Sequence, residues 1–397
     1  MLNRIVESIE KLSDWLKHNG WAGYDPYDIL EYLHKRYPNR INFCKKIQRW
    51  AIIELESFFP LKTRIFLNIK KEINAKAMGL FTSSYVRLYM ATKKKEYLDK
   101  AKDCLKWLDS NYSKGYSGKC WGYPFDWQSM IFIPKGTPSS VVSSIVGDGY
   151  WKFYQLTKDK KHLSDCESIC EFFINNLNID KIDNNRVCFS YTPIDDFHVH
   201  NANLFVAEFL LKVGTELSNN NYIELGLNAL NYTLSEQNDD GSLFYWGRIQ
   251  DHYNPKSLDH YHCGFEIRSL YSICNITGED KFYQAAKKYY LFYLANFFED
   301  KTIPKLTPKK KYPINIHSCA EAILCNSILS NDFLEGEKYL KSTLTWTLDN
   351  MQDKEGWFYY MIRKRKGIEM KVKIPYIRWG QAWMLRGLSE VNHLCQF

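Results

Sequence analysis

Side chains able to move protons crowd into a few short stretches of this chain. One holds Tyr191, Asp195, Asp196, His198, His200, Asn201 and Asn203. The next holds Tyr245, Arg248, Asp251, His252, Tyr253, Asp259, His260, Tyr261, His262 and Glu266. Further on come Asn315, His317 and Glu321, then Tyr376, Arg378, Trp379 and Gln381. Imidazoles and phenols suit general acid–base chemistry, and paired carboxylates suit glycoside hydrolysis. Two H-x-H pairs, His198-Val199-His200 and His260-Tyr261-His262, could each begin a zinc site with Asp196 or Asp259. No third ligand is spaced to complete either, so no metal or other cofactor is expected. The chain lacks G-x-x-x-x-G-K-[ST] and G-x-S-x-G, which excludes P-loop and serine-hydrolase readings.

These stretches recur at one point of a repeat. An apolar helix, a short turn and a second amphipathic helix follow one another five times. The turns are Ala91–Leu98, Leu156–Leu163, Leu217–Ile223, Ile276–Tyr283 and Leu329–Leu334. Ser, Thr, Asn and Asp in them can cap the second helix, and Gly278 suits the position just past the first. First helices are expected to start near Asn74, Pro138, His200, His262, His317 and Trp379. The last, Trp379 to His393, has no following partner. N-terminal helices near Arg4–Lys17 and Phe43–Phe58 can supply it and close a ring over residues 1–397. The expected fold is all-α, an (α/α)6 toroid of six helical hairpins in one domain, with short β-hairpins in the long loops. Loops of that length usually carry function. Here they hold the segments 120–127, 187–193, 241–246 and 356–360, rich in Trp, Tyr and Phe.

Composition narrows the partners. The net charge is +8, from 53 Lys+Arg against 45 Asp+Glu, too weak for a dedicated nucleic-acid surface but compatible with an acidic polymer. The one dense basic run is Arg363-Lys364-Arg365-Lys366. The 11 Cys are scattered without a C-x-x-C pair, which reads as reduced thiols in a reducing compartment. No signal-peptide core is visible, and the most apolar stretch, Tyr289 to Phe298, is too short to span a bilayer. A cytoplasmic location is therefore expected, with peripheral contact to a membrane-linked glycan as one option.

Asp259-His260-Tyr261-His262-Cys263-Gly264-Phe265-Glu266, with the helix that ends at Tyr290–Leu294, resembles the C-terminal module of the D-glucuronyl C5-epimerases. Upstream, Gly241–Tyr245 is similar to that family's Ser-x-Tyr loop, and Tyr191-Thr192-Pro193 to its Tyr-x-x-Pro segment. The resemblance spans about residues 187–300. It implies an α/α toroid acting on a uronic-acid-containing saccharide of surface polysaccharide biosynthesis, by removal and return of the C5 proton. It places the family's catalytic tyrosines on Tyr261, on Tyr245 or Phe244, and on Tyr191. Ser190 stands where the family has an acidic residue. Such chemistry needs the carboxylate neutralised, with a base on one face and an acid on the other. Arg248, Arg186 and Arg378 are candidate clamps for it, helped by His198, His200, Asn201, His260 and His262. Trp121, Trp246 and Trp357 are candidate platforms for sugar faces.

Three other readings fit the same residues. A polysaccharide lyase shares the proton abstraction and then expels the C4 substituent. A glycoside hydrolase would need two carboxylates from Asp196, Asp251, Asp259 and Glu266. A non-catalytic saccharide-binding protein of an assembly complex would use the aromatic loops alone.

Overall fold

The computed structural model describes residues 1–37, 43–250, 257–330 and 332–395. Helices α1 (Leu2–Asn19), α2 (Asp28–Arg36), α3 (Phe43–Phe58) and α4 (Pro60–Phe66) come first. Hairpins follow: α5 (Ala75–Thr92) with α6 (Lys95–Ser110), α7 (Ser140–Thr157) with α8 (Lys160–Asn176), and α9 (His200–Leu217) with α10 (Asn220–Ser235). Next are α11 (His260–Thr277) with α12 (Asp280–Asn296), and α13 (Ile316–Leu329) with α14 (Glu335–Met351). A π turn at Ile377–Gln381 leads into α15 (Ala382–Leu394).

Two burial patterns sort these helices into layers. In α13 every residue from Ile316 to Ser327 is buried, as expected of a helix enclosed on all sides. In α6 only a stripe is buried: Tyr97, Ala101, Cys104, Leu105 and Leu108. The enclosed helices α5, α7, α9, α11, α13 and α15 each pack on the next, and α15 packs back on α5. That closed inner ring, with the amphipathic helices outside it, is an (α/α)6 toroid. Helix α1 packs outside α15.

Phe43–Phe58 does not take the ring place expected for it. Its residues 44–50 all face solvent, and Ile52 joins Ile29, Leu33 and Tyr37 in a separate small cluster. With α1 already beside α15, α3 and α4 become an appendage of the loop end. The appendage is pinned by Arg64, which is fully buried and bonded to Asp28 and Glu56.

The long connections carry short antiparallel ladders. These are β1 (Trp127–Gln128) with β2 (Phe132–Ile133), β3 (Ile179–Asp183) with β4 (Arg186–Phe189), and β5 (Phe298–Glu299) with β6 (Ile303–Pro304). Strands β7 (Ile314–Asn315), β8 (Met361–Arg365) and β9 (Ile368–Val372) form one small sheet. The expected hairpin over 187–193 is present as β3–β4. The 241–246 segment makes only a single bridge, from Trp246 to Val199.

Inner helices α5, α7, α9 and α11 end on left-handed residues: Lys93, Lys158, Ser218 and Gly278. Only the last is glycine, so the sequence marks one of four such stops. Close packing of the inner ring also depends on small residues. A Cβ on Gly79 would lie 2.7 Å from the Val146 Cα across the α5–α7 contact. Gly79→Val should therefore lower the unfolding free energy by about 2–3 kcal/mol, as overpacked cores do. Urea unfolding measures it, and an unchanged midpoint would contradict the closeness of α5 and α7.

Candidate active site

The six inner helices begin at the same height. Their N-caps are Asn74, Ser139, Val199, Asp259 and Asn315, with Tyr376 capping the π turn. In Asn74, Ser139, Asp259 and Asn315 the side-chain oxygen accepts a backbone N–H of the first turn, which locks each helix start. Two residues past these caps stand Lys76, Val141, Asn201, Tyr261, His317 and Arg378. All six line one cavity at the long-loop end, together with His262, Tyr191, Tyr245 and Trp379. The toroid thus turns six positions, about 60 residues apart in sequence, into one ring of side chains.

The helical period returns the same face four residues later, at Phe205, Phe265 and Glu321 on three of the helices. On α15 this place belongs to Trp383, one residue late because the π turn adds a residue. Phe265 stacks on Trp383 at 5.0 Å and tilts against Phe205 at 5.5 Å. These rings form a floor. Below it, at the tight-turn end, lies a chamber of about 620 Å³, against about 80 Å³ for the upper cavity. The lower chamber is larger but its charges satisfy one another. Lys152 meets Asp148 at 2.6 Å, Lys212 meets Glu208 at 2.5 Å, and Arg386 meets Glu390 at 2.5 Å. Its cations Arg87, Lys152 and Lys212 each stand five residues before the end of α5, α7 and α9.

The upper cavity is not self-satisfied. His317 is 1% exposed, and neither ring nitrogen has a hydrogen-bond partner among the described residues. Burial, with Lys76 and Arg378 nearby, holds it well below the usual imidazole range, so it is neutral. It lies flat on Tyr261 with centroids 4.5 Å apart, and edge-on to Trp379 at 4.7 Å. The Asn201 side-chain oxygen is also unpartnered. Lys76 is buried and forms no ion pair among the described residues. Its ammonium sits 5.6 Å from the Trp383 ring centre, and burial lowers its pKa to about 7.

His262 has a defined orientation. Its Nδ1 lies 2.6 Å from Asp259 Oδ2, while Asp259 Oδ1 accepts the His262 backbone N–H at 3.1 Å. One carboxylate thus caps α11 and fixes the imidazole. With Nδ1–H donating to it, Nε2 is left as an acceptor able to take a proton. Tyr245 and Tyr261 flank this ring at 4.6 and 4.5 Å. Tyr191 is held by Asp195, which accepts its backbone N–H at 3.0 Å, and by Ser140, whose N–H donates to the Tyr191 carbonyl.

Burial pushes the phenols of Tyr191, Tyr245 and Tyr261 well above their ordinary value. They are therefore donors, not bases. Desolvation is the largest cause, and neighbouring phenols and, for Tyr245 and Tyr261, Asp259 push the same way. Arg378 is equally unable to clamp a substrate freely, since Asp25 holds it in two bonds of 2.6 and 2.7 Å. The pair instead supports Tyr27, Tyr123 and Phe125, which close over the cavity as stacked rings.

Eight of the residues singled out in the sequence meet here: Tyr191, Asn201, Tyr245, Tyr261, His262, His317, Arg378 and Trp379. The others stand elsewhere. His198 bonds to Tyr232 and Asp180, and His200 to Thr233 and Glu236. His260 lies on the far side of α11 against Tyr293, Phe297 and Phe298, where burial lowers its pKa to about 3. The two H-x-H pairs therefore gather no metal site; among the described residues no His, Cys, Asp and Glu cluster fits one. Arg248 is exposed and bonds through its backbone N–H to Glu236, and Arg186 pairs with Asp183 at the surface. Trp121 is core, donating to the Leu108 carbonyl, while Trp246 packs on Phe197 and Trp357 on Tyr359. Glu266 is buried and accepts from Tyr289. Asp251, His252 and Tyr253 lie outside the described residues. Lys76, Tyr27 and Tyr123 were not among the candidates. Lys76 had one signal, its place two residues past a capping Asn, shared with His317.

No protein-family model matches the chain, and no curated protein matches it in sequence. Solved structures do match its fold. Cellobiose 2-epimerase from Bacillus thermoamylovorans is 13% identical, with a TM-score of 0.61 over 82% of this chain and 90% of that one. Unsaturated glucuronyl hydrolase from Bacillus sp. GL1 is 11% identical, with a TM-score of 0.62 over 98% of this chain and 96% of its own. A family 76 α-mannanase of Bacteroides thetaiotaomicron is 13% identical, with a TM-score of 0.62 over 80% and 86%.

The burial of Lys76 has a measurable cost. Below pH 7 its amine is protonated in folded and unfolded chains alike, so the folded state bears the whole desolvation. Between about 7 and the ordinary 10.5 the unfolded chain keeps the proton that the folded one has lost, and the cost fades. Lys76→Met should stabilise the protein by roughly 4–5 kcal/mol at pH 6 and by less than about 1 kcal/mol at pH 10. Thermal unfolding at the two pH values measures this, and a gain independent of pH would contradict it.

Proposed function

We propose that this protein is a saccharide-processing enzyme that removes and returns the C5 proton of a uronic-acid residue. One observation carries the reading. An Asp259-backed imidazole, His262, shares a cavity with a second, neutral imidazole, a phenol and a buried lysine. No carboxylate lines that cavity among the described residues. Proton transfer next to a carboxylate needs such groups, whereas glycoside hydrolysis needs two carboxylates facing the sugar.

The steps follow from the geometry. Six helix starts set their positive dipole ends around the cavity, which favours an anionic ligand there. Lys76, when protonated, adds a positive charge that is in no ion pair among the described residues. His262 Nε2 takes the C5 proton, and the electron pair moves into the carboxylate, whose second developing charge these groups stabilise. Tyr261 or His317, both neutral and both donors, returns a proton to the opposite face. The result is the C5 epimer, with no bond to the neighbouring sugar broken. The fold neighbours include a cellobiose 2-epimerase and an unsaturated glucuronyl hydrolase, which supports a saccharide substrate. The likeness to the D-glucuronyl C5-epimerases supports the uronate, and the 11 free thiols support a polymer assembled inside the cell.

Incubation with uronate oligosaccharides in D2O tests the proposal. Deuterium should appear at C5 without chain cleavage, and His262→Gln or Tyr261→Phe should slow its entry by about 10²–10⁴. An unsaturated product would make the protein a lyase. New reducing ends would make it a hydrolase, and deuterium at C2 of a neutral reducing sugar would move the chemistry to a carbonyl. Each of these outcomes contradicts the C5 reading.

A further inference from the structure

The charge and the exposed apolar surface of this protein are concentrated in two segments that meet. Residues 43–66 carry five basic and two acidic side chains, and residues 361–373 carry six basic and one acidic. Together they hold a net charge of +8, equal to that of the whole chain, so everything else is neutral. Among the described residues, nine of the nineteen exposed large apolar side chains also fall within 47–66. Trp50 is 63% exposed, Ile65 64% and Phe66 81%, and Ile368 at the tip of the β8–β9 hairpin is 68% exposed. An apolar cluster of this kind on a soluble surface marks a contact site.

The two segments form one face. Arg363 and Arg365 lie over the Phe58 ring at 5.8 and 4.9 Å, and Arg365 approaches Glu54 at 3.7 Å. Lys62 lies over Phe59 at 5.7 Å. Basic and aromatic groups thus alternate across the surface instead of separating. The face stands at the loop end of the toroid, because Arg64 of α4 also lies over Tyr376, two residues from Arg378 in the cavity.

We propose that α3, α4 and the β8–β9 hairpin form a docking face for an anionic lipid surface. Aromatic and aliphatic side chains standing out from a basic helix can enter the boundary between headgroups and acyl chains, while Lys and Arg meet the phosphates. Charge selects this occupant over a second copy of the chain, since pairing two such faces would set +8 against +8. It also gives the Arg363–Lys366 run and the outward-facing α3 a role that the toroid does not.

Flotation with vesicles tests it, using the full chain. Binding is expected to vesicles of phosphatidylcholine with phosphatidylglycerol, to be weak for phosphatidylcholine alone, and to fall with added salt. Two double variants, Ile65→Ser with Phe66→Ser and Lys364→Gln with Lys366→Gln, should each weaken the anionic-vesicle partition by about tenfold. Both should leave thermal unfolding unchanged, because these side chains are exposed. No partition, equal partition to both vesicles, or partition that survives both variants would overturn the proposal. So would a solution dimer that the same variants dissociate, which would make the face a protein interface.

Discussion

Ring closure sets one requirement on which the rest depends: α15 must pack on α5 with its first turn level with the others. Only then do Lys76 and Arg378, from opposite ends of the chain, reach the same cavity as Tyr261 and His317. The caps hold that level. Asn74, Ser139, Asp259 and Asn315 each fix a helix start by a side-chain bond to the first turn. The π turn at Ile377–Gln381 supplies the residue that brings Arg378 and Trp383 into line on the sixth helix.

A ring of parallel helices has two unlike ends, and the residues follow that difference. At the tight-turn end Arg87, Lys152 and Lys212 pair with Glu390, Asp148 and Glu208, so the charges there are matched. At the amide end the imbalance is left open. Among the described residues His317 and Asn201 have unmet polar atoms, and Lys76 forms no ion pair. Buried groups of this kind cost stability, and proteins keep them chiefly where a ligand or a reaction uses them.

Much of this was legible in the sequence, for physical reasons. The repeat step and the polar clusters at helix starts are local features, so the toroid and the convergence of Tyr191, Tyr245, Tyr261 and His262 could be read from them. Burial direction could not. His260 and His262 are two residues apart, yet α11 turns one into the outer layer and the other into the cavity. Trp121 sits in a glycine-rich loop like a sugar platform but fills the core. Phe43–Phe58 has the apolar content of a ring helix, yet most of it faces outward. Lys76 lies outside the stretch that resembles the epimerases, and an isolated lysine at a helix start looks like surface until the ring encloses it.

The most direct test is a crystal structure of the protein with a uronate oligosaccharide. A uronate ring at the loop end is predicted, its carboxylate toward Lys76 and the helix starts, its C5 within reach of His262 Nε2. Electron density for the sugar in the tight-turn chamber beside Lys152 and Arg386, with the loop-end cavity empty, would contradict it.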